Sequence, residues 1–257
     1  MRVVLIVGRV LDPQGFVVKA KAGRIFVNQE TYLMQPADRC ALEAALRIKD
    51  GTEAEVVVLP RRVLEDDDVL RRALAVGGDR AVALTGEQFA EADDGAMAGV
   101  LGAAVGRLEP VDLLLTGATT LDTGQGQLGV RLAEALGWPQ IVGGWDVGIV
   151  DQNVEVVCRG EGGYVTCRVG LPAVVTVVPG ALKLRYADGM RLINVYRDEG
   201  VVERWDVDDL VGEDAPAALL ENRGREFPPE RERGDRAAGN VTEMAQAAAD
   251  ALRQWVR

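Results

Sequence analysis

The sequence predicts an α/β chain. A mostly parallel sheet carries helices on both faces, a β-rich second half follows, and an extended C-terminal arm ends in a helix. Three observations predict it. Short apolar runs at Val3–Val7, Glu55–Pro60, Arg80–Leu84 and Val111–Leu115 alternate with helical patterns, the signature of βαβ units. After Trp138-Pro139 four strand-like runs follow one another with no helix between them. Beyond Gly180 charge, Pro and Gly dominate and the apolar residues scatter.

Val3–Val7 reads as a buried strand ending at Gly8, and Arg9-Val10-Leu11-Asp12-Pro13 as a turn. Phe16–Ala20 and Arg24–Val27, separated by Lys21-Ala22-Gly23, read as a hairpin. Gln35-Pro36-Ala37-Asp38 opens a helix whose apolar face is Ala41, Leu42, Ala45, Leu46 and Ile48, and Asp50-Gly51 ends it. A helix is expected over Leu64–Val76, with Glu65–Asp68 in its first turn where the dipole favours acids, and another over Ala96–Leu108. Ile141–Ile149, Val154–Arg159, Tyr164–Val169 and Ala173–Val178 are the later strands, with Val154–Val169 a hairpin turning at Gly160-Glu161-Gly162-Gly163. Residues 1–180 form a Rossmann-like nucleotide-binding domain on this reading, and 181–257 a separate arm. Its terminal helix, Thr242–Trp255, carries Met244, Ala247, Ala251 and Trp255 at helical spacing and docks on another subunit or on the domain's own back.

The most informative stretch is Val111–Leu136. A buried strand ends at Thr116-Gly117, a polar loop follows, and Gly124-Gln125-Gly126-Gln127-Leu128-Gly129 leads into a helix. The first N–H groups of a helix lack internal partners and the dipole leaves positive charge there, so the geometry suits a phosphate or pyrophosphate. The G-x-G-x-x-G match does not by itself carry NAD binding, because six residues separate Gly117 from Gly124 and the unit lies mid-chain. In an open α/β sheet, ligands bind beyond the carboxyl ends of the strands where strand order reverses. Three loops converge there: Gly8–Val10 after the first strand, Pro60–Val63 after the second, and Gly117–Gly129 after the fourth.

The net charge of −11 argues against nucleic acid and anionic membranes as general partners, without preventing phosphate binding by backbone amides. No apolar run reaches the length of a membrane span, and a cytoplasmic location is the default expectation. Histidine is absent, which removes Ser-His-Asp and Cys-His catalysis and histidine-bound metals. Cys40, Cys158 and Cys167 form no C-x-x-C pair and are expected as packing residues.

Four stretches, in order and spacing, resemble the β subunit of electron transfer flavoproteins over most of residues 1–178. Pro36-Ala37-Asp38 with Ala41–Lys49 is similar to the family's N-P-x-D-x-x-A-L-E-x-A-L helix. Arg72–Ala81 is similar to its A-L-A-M-G-A-D-R segment, Val111–Pro139 to its strand and nucleotide loop, and Gly162-Gly163 with Leu171–Val177 to G-G…L-P-A-V-V-T-V. The resemblance implies a heterodimer in which an α subunit holds the redox FAD and this chain binds AMP, or a second FAD in an electron-bifurcating member. Electrons would pass from a donor dehydrogenase to an acceptor oxidoreductase. Taken together with the converging strand-end loops, it gives cofactor contacts at Val7, Gly8, Pro60, Arg61, Gly117, Asp122, Gly124, Gln125, Gly126, Gln127, Leu128 and Gly129. Asp122, Gly126, Gln127 and Gly129 match the family loop I-D-G-D-T-G-Q-V-G, whereas Gly124 and Gln125 replace its second Asp and its Thr. The family's lysine in its first V-K-x-V turn is Gly8 here, which removes a positive charge. Arg185, Tyr186, Met190 and Leu192 fall where the family carries its partner-recognition loop; the lysines that follow it there are missing. The alternative is a stand-alone ATP- or AMP-binding α/β protein, with Asp122 as a metal carboxylate.

Overall fold

The computed structural model describes the chain except residues 20–21, 64–65, 91, 213–214, 222, 225, 230–233, 235 and 256–257, and the side chain of Trp255. Ala20, Lys21, Leu64 and Glu65, to which the sequence assigned strand, turn and helix positions, lie outside the described residues.

The strands are β1 (Arg2–Val7), β2 (Arg9–Leu11), β3 (Phe16–Lys19), β4 (Arg24–Val27), β5 (Tyr32–Met34), β6 (Glu55–Pro60), β7 (Arg80–Thr85), β8 (Leu113–Gly117), β9 (Gln140–Val150), β10 (Asn153–Gly160), β11 (Gly163–Gly170), β12 (Ala173–Val177) and β13 (Val202–Asp206). The helices are α1 (Pro36–Gly51), α2 (Asp68–Val76), α3 (Asp94–Leu108), α4 (Leu128–Leu136), α5 (Gly189–Arg197), α6 (Val207–Val211) and α7 (Val241–Trp255).

Nine strands form one sheet in the order β11-β10-β9-β12-β8-β1-β6-β7-β13. Neighbours from β9 to β13 are parallel, and β10 and β11 add an antiparallel meander at one edge. The central strands are mostly apolar on both faces, because helices cover both, with Thr116 and Thr176 as buried exceptions. Val3, Leu5 and Val7 of β1 enter the core under α1 and α2, while Val4 and Ile6 enter the opposite core under α3 and α4. Burying each such side chain contributes about 1.5–3 kcal/mol. Strand order runs from β1 through β6 and β7 to one side, then returns to place β8 on the other side of β1. The order therefore reverses between β1 and β8, where Gly8 and Gly117 end their strands.

Four expectations change. Arg9–Leu11 is a strand paired with Tyr32–Met34 rather than a turn; three residues with a distant partner leave no local pattern to read. α2 starts at Asp68, four residues later than expected, because Asp66 and Asp67 act as local acceptors: Asp66 takes the amide of Asp68, and Asp67 takes Arg71 at 2.8 Å. β8 begins at Leu113 rather than Val111. The segment from 181 also folds on the sheet for part of its length. α5 packs on α2, and β13 pairs in parallel with β7, with Val202 in one core and Val207 of α6 in the other. β13 reads Val-Glu-Arg-Trp-Asp, an edge strand whose polar residues hide its period.

The β3–β4 hairpin forms its own two-stranded sheet, with Val17, Val18, Ile25, Phe26 and Val27 all exposed. α7 opens on a capping box. Asn240 Oδ1 accepts the amide of Glu243 at 3.0 Å, and a Glu243 carboxylate oxygen accepts the amide of Asn240 at 2.9 Å. No helix among the described residues is long and apolar enough to cross a membrane.

Candidate functional site

The reversal point is built around a carboxylate. Asp38, in the first turn of α1, is fully buried. Its Oδ2 accepts the Gly8 amide at 2.7 Å and its Oδ1 the Gly117 amide at 2.8 Å, joining the ends of β1 and β8. Gly117 can have no side chain here: a Cβ would stand 2.3 Å from Asp38 Oδ1 and 2.7 Å from the Ala37 Cβ. Burial pushes the Asp38 carboxyl above the ordinary aspartate value, against the lowering influence of Arg61 and of the two amides.

Arg61 lies across the same point from the end of β6. Its amide donates to Val7 O at 2.6 Å, so the main chain leaves β6 still tied to β1. Its side chain is 5% exposed, with Nη2 at 3.5 Å from Asp38 Oδ1, 3.2 Å from Thr116 Oγ1 and 3.3 Å from Gly117 O. Its Nε is buried and has no partner among the described residues. Gly8 is the residue that leaves it room: a Cβ there would meet Arg61 Cδ at 3.2 Å and Gln35 Cγ at 3.4 Å.

Gln35 ties the loop over β1. Its amide donates to Gly8 O at 2.9 Å, its Oε1 accepts the Leu121 amide at 2.8 Å, and its Nε2 donates to Asp122 Oδ1 at 3.3 Å. The loop then closes on itself. The Thr120 amide donates to Gln125 O at 2.8 Å, the Gly124 amide to Thr120 O at 3.1 Å, and the Thr120 and Thr123 hydroxyls meet at 2.8 Å. The three glycines have distinct reasons. Gly124 takes a φ of 68° and faces open space. A Cβ on Gly126 would stand 2.4 Å from Ala118 O, so this glycine lets the loop fold on its own backbone. A Cβ on Gly129 would stand 2.5 Å from Thr176 Cγ2 and 2.8 Å from Thr116 Cγ2, so this one lets α4 lie close on β8 and β12.

The expected cofactor residues thus fall in one neighbourhood, with different tasks. Val7 pairs with Pro60 at the strand ends. The Gly8 and Gly117 amides are taken by Asp38 and are not donors for a ligand. Asp122 accepts from Gln35 and from the Thr123 amide. Gln125 is exposed, and Gln127 precedes α4 with its Oε1 accepting from Arg131 at 3.0 and 3.1 Å. Leu128 and Gly129 are buried in the first turn of α4, whose amides have no acceptor within the helix. Asp38 and Gln35 were not singled out as site residues from the sequence, although both fall in the Gln35–Asp38 stretch. An acid opening an apolar helix was the only local signal for Asp38.

The residues expected to bind partners lie elsewhere. Arg185 turns inward and bridges Glu43 at 3.0 Å and Asp50 at 2.7 Å, fastening the 182–185 segment to α1. Burial alone would raise the Glu43 carboxyl, but hydrogen bonds and charge from Arg185 override it and hold it below the ordinary glutamate value. Tyr186 and Met190 are largely exposed, and Leu192 is exposed with Ile193 and Tyr196 on α5. Cys158 and Cys167 sit on adjacent strands, half-buried against the core, and burial together with Cys167 raises the Cys158 thiol.

Known proteins resemble this chain over most of its length. The model of the electron transfer flavoprotein domain matches residues 24–210. A caffeyl-CoA reductase-Etf complex subunit CarD of Acetobacterium woodii is 30% identical, over 82% of this chain and 80% of its own. A FixA protein of Bradyrhizobium diazoefficiens is 31% identical, over 86% of this chain and 78% of its own. An electron transfer flavoprotein subunit beta of Clostridium acetobutylicum is 28% identical, over 82% and 80%.

Proposed function

The chain belongs to the electron transfer flavoprotein family, as a member like its β subunits, and from that premise we propose that it binds an adenine nucleotide at the β1–β8 reversal point and serves an α-type partner subunit that carries FAD. The observation that supports this reading best is the convergence at Asp38. One carboxylate draws the ends of β1 and β8 together with Arg61, beside a glycine loop and the free amides of α4. The residues present fit a nucleotide. The first turn of α4 offers backbone donors to a phosphate. AMP is the ligand of choice. A second FAD in place of AMP is the alternative.

FAD, when bound to the partner, supplies the redox chemistry. This chain's residues hold the nucleotide and form the surface against which the flavin-bearing subunit rests. The exposed apolar hairpin β3–β4 and the exposed face of α7 support that partner role, since two-stranded sheets and short helices gain stability by docking. The α5 face carrying Met190 and Leu192, with Tyr186 beside it, is the proposed contact for the donor dehydrogenase or acceptor oxidoreductase.

The test is to purify the chain with its co-purifying partner, release ligands by heat and separate them. One AMP per chain and one FAD per complex is the expected result. Two FAD and no AMP would establish the bifurcating alternative. A chain that runs alone, with no nucleotide and no flavin-bearing companion, would overturn the proposal.

A further inference from the structure

We propose that Cys158 of β10 and Cys167 of β11 form a two-sulfur site for a soft, thiophilic cation of the copper(I) class. Their placement follows from the register of the meander. Cys158 stands opposite Val165 and Cys167 opposite Val156, so the two are diagonal neighbours across one ladder. Both pack on the same face, against the core that holds Val154 and Val156. The thiols are hydrogen-bonded to each other, and the Cys158 thiol also approaches Val142 O at 3.7 Å. The neighbouring strand is irregular here. The β9–β10 register shifts between Val157 and Cys158, which sets Gly144 opposite Cys158. A bulge re-aims the side chain beside it, and glycine leaves the thiol with no side chain across that strand pair. Both cysteines are half-buried, so an ion can arrive from solvent. The pair lies on the antiparallel edge of the sheet, separated from β8 by β9 and β12. Its failure would leave the nucleotide reading untouched.

Geometry and ligand count select the occupant. Diagonal positions of an antiparallel pair lie about 7–8 Å apart. A disulfide needs Cα atoms within about 6.8 Å, so closing one here would require the strands to shift. A cation between the sulfurs adds two metal–sulfur bonds of about 2.3 Å each, a span that side-chain rotation supplies with the strands in place. Zinc and iron–sulfur centres take four ligands. The chain has no histidine, and among the described residues no three of Cys, Asp and Glu gather to hold a metal ion. A soft cation satisfied by two thiolates is the class that fits. Binding is a ligand exchange without electron transfer. Each S–H gives its proton to water, so one monovalent cation and two thiols become a bis-thiolate anion and two protons. Burial and Cys167 raise the Cys158 thiol, so the pair stays protonated until such a cation displaces the protons.

The experiment loads the protein as purified with copper(I) under ascorbate without oxygen, desalts it against bathocuproine disulfonate, and measures retained copper by mass spectrometry. The wild type should hold one copper more than the variant carrying both Cys158→Ser and Cys167→Ser. Each single variant should lower the affinity by at least about a hundredfold, the upper end of what losing a supporting contact costs at a metal site. Cys40→Ser is the control. That thiol is 3% exposed and donates to Leu182 O at 3.1 Å, and its loss should leave the copper in place. If a serine variant fails to fold, Cys158→Val and Cys167→Val remove the sulfurs while keeping the packing. Full retention by either single variant, or no excess in the wild type over the double variant, overturns the proposal. A wild-type chain that closes a Cys158–Cys167 disulfide in air, seen as two blocked thiols after unfolding, also overturns it.

Discussion

Arg61 Nη2 stands 3.5 Å from Asp38 Oδ1, and neither side chain reaches solvent to any useful extent. This pair closes the point where the sheet reverses its order. A buried pair is weak evidence of stability when compared with apolar packing, but breaking one half leaves the other charge stranded. Asp38→Ala should therefore destabilise the domain by about 3–5 kcal/mol, since it also orphans the Gly8 and Gly117 amides. Arg61→Met should cost less, because Asp38 keeps its two amides. The double variant should fall short of the sum by more than about 1 kcal/mol. Urea titration of the four proteins measures it, and strict additivity would show that the two groups act independently.

Gly129→Ala tests the glycine closest to the sheet. The added methyl would stand 2.5 Å from Thr176 Cγ2 and 2.8 Å from Thr116 Cγ2. Both neighbours are buried on central strands and cannot retreat, so α4 must lift. The expected cost is about 1–3 kcal/mol, with a parallel fall in retained nucleotide as the α4 amides shift. Gly124→Ala should cost about 1 kcal/mol from its positive φ, with no contact to disturb. A midpoint for Gly129→Ala no lower than for Gly124→Ala would refute the close-packing argument.

What could be read from the sequence divides along these same residues. The Leu113–Gly117 strand was legible because both of its faces are buried, which leaves an unbroken apolar run. The loop and the start of α4 were legible because glycines and a new helical period follow that run directly. Asp38 was not, because its partners Gly8 and Gly117 lie 30 and 79 residues away and only the fold brings them together. What fills the space beside Gly8 was hidden for the same reason: Arg61 enters it from another strand. β13 escaped notice because an edge strand needs only part of one face apolar, and Glu203 and Arg204 mask it.

Arg185 and Glu43 set an acid limit for the 182–185 segment. The Glu43 carboxyl is almost buried and accepts from the Arg185 amide at 3.0 Å and from its guanidinium at 3.0 and 3.1 Å. Its folded pKa lies below the ordinary value of 4.5, so the unfolded chain binds the proton more tightly. The contribution is fully present above that ordinary value and is lost as pH falls through the lower folded one. Thermal stability should decline from about pH 4.5 downward in the wild type, and Glu43→Gln should flatten part of that decline while lowering stability at neutral pH. Melting curves across this range decide it; identical slopes for both proteins would place the acid sensitivity elsewhere.

α7 makes the most direct prediction about assembly. It is 15 residues long, close to the length at which an isolated helix is marginal in water, about 12–15 residues. Its capping box supports the first turn, but Val241, Met244 and Leu252 all face solvent. Removal of residues 240–257 should therefore leave the melting temperature of the remaining chain within about 1 °C, because surface segments without buried contacts contribute little. The same truncation should weaken association with the flavin-bearing partner by about tenfold or more. In the intact chain the α7 amides should exchange rapidly when the chain is alone and become protected in the complex. Protection already present in the free chain would show that the helix finds its surface without a partner, and an unchanged affinity after truncation would remove α7 from the interface.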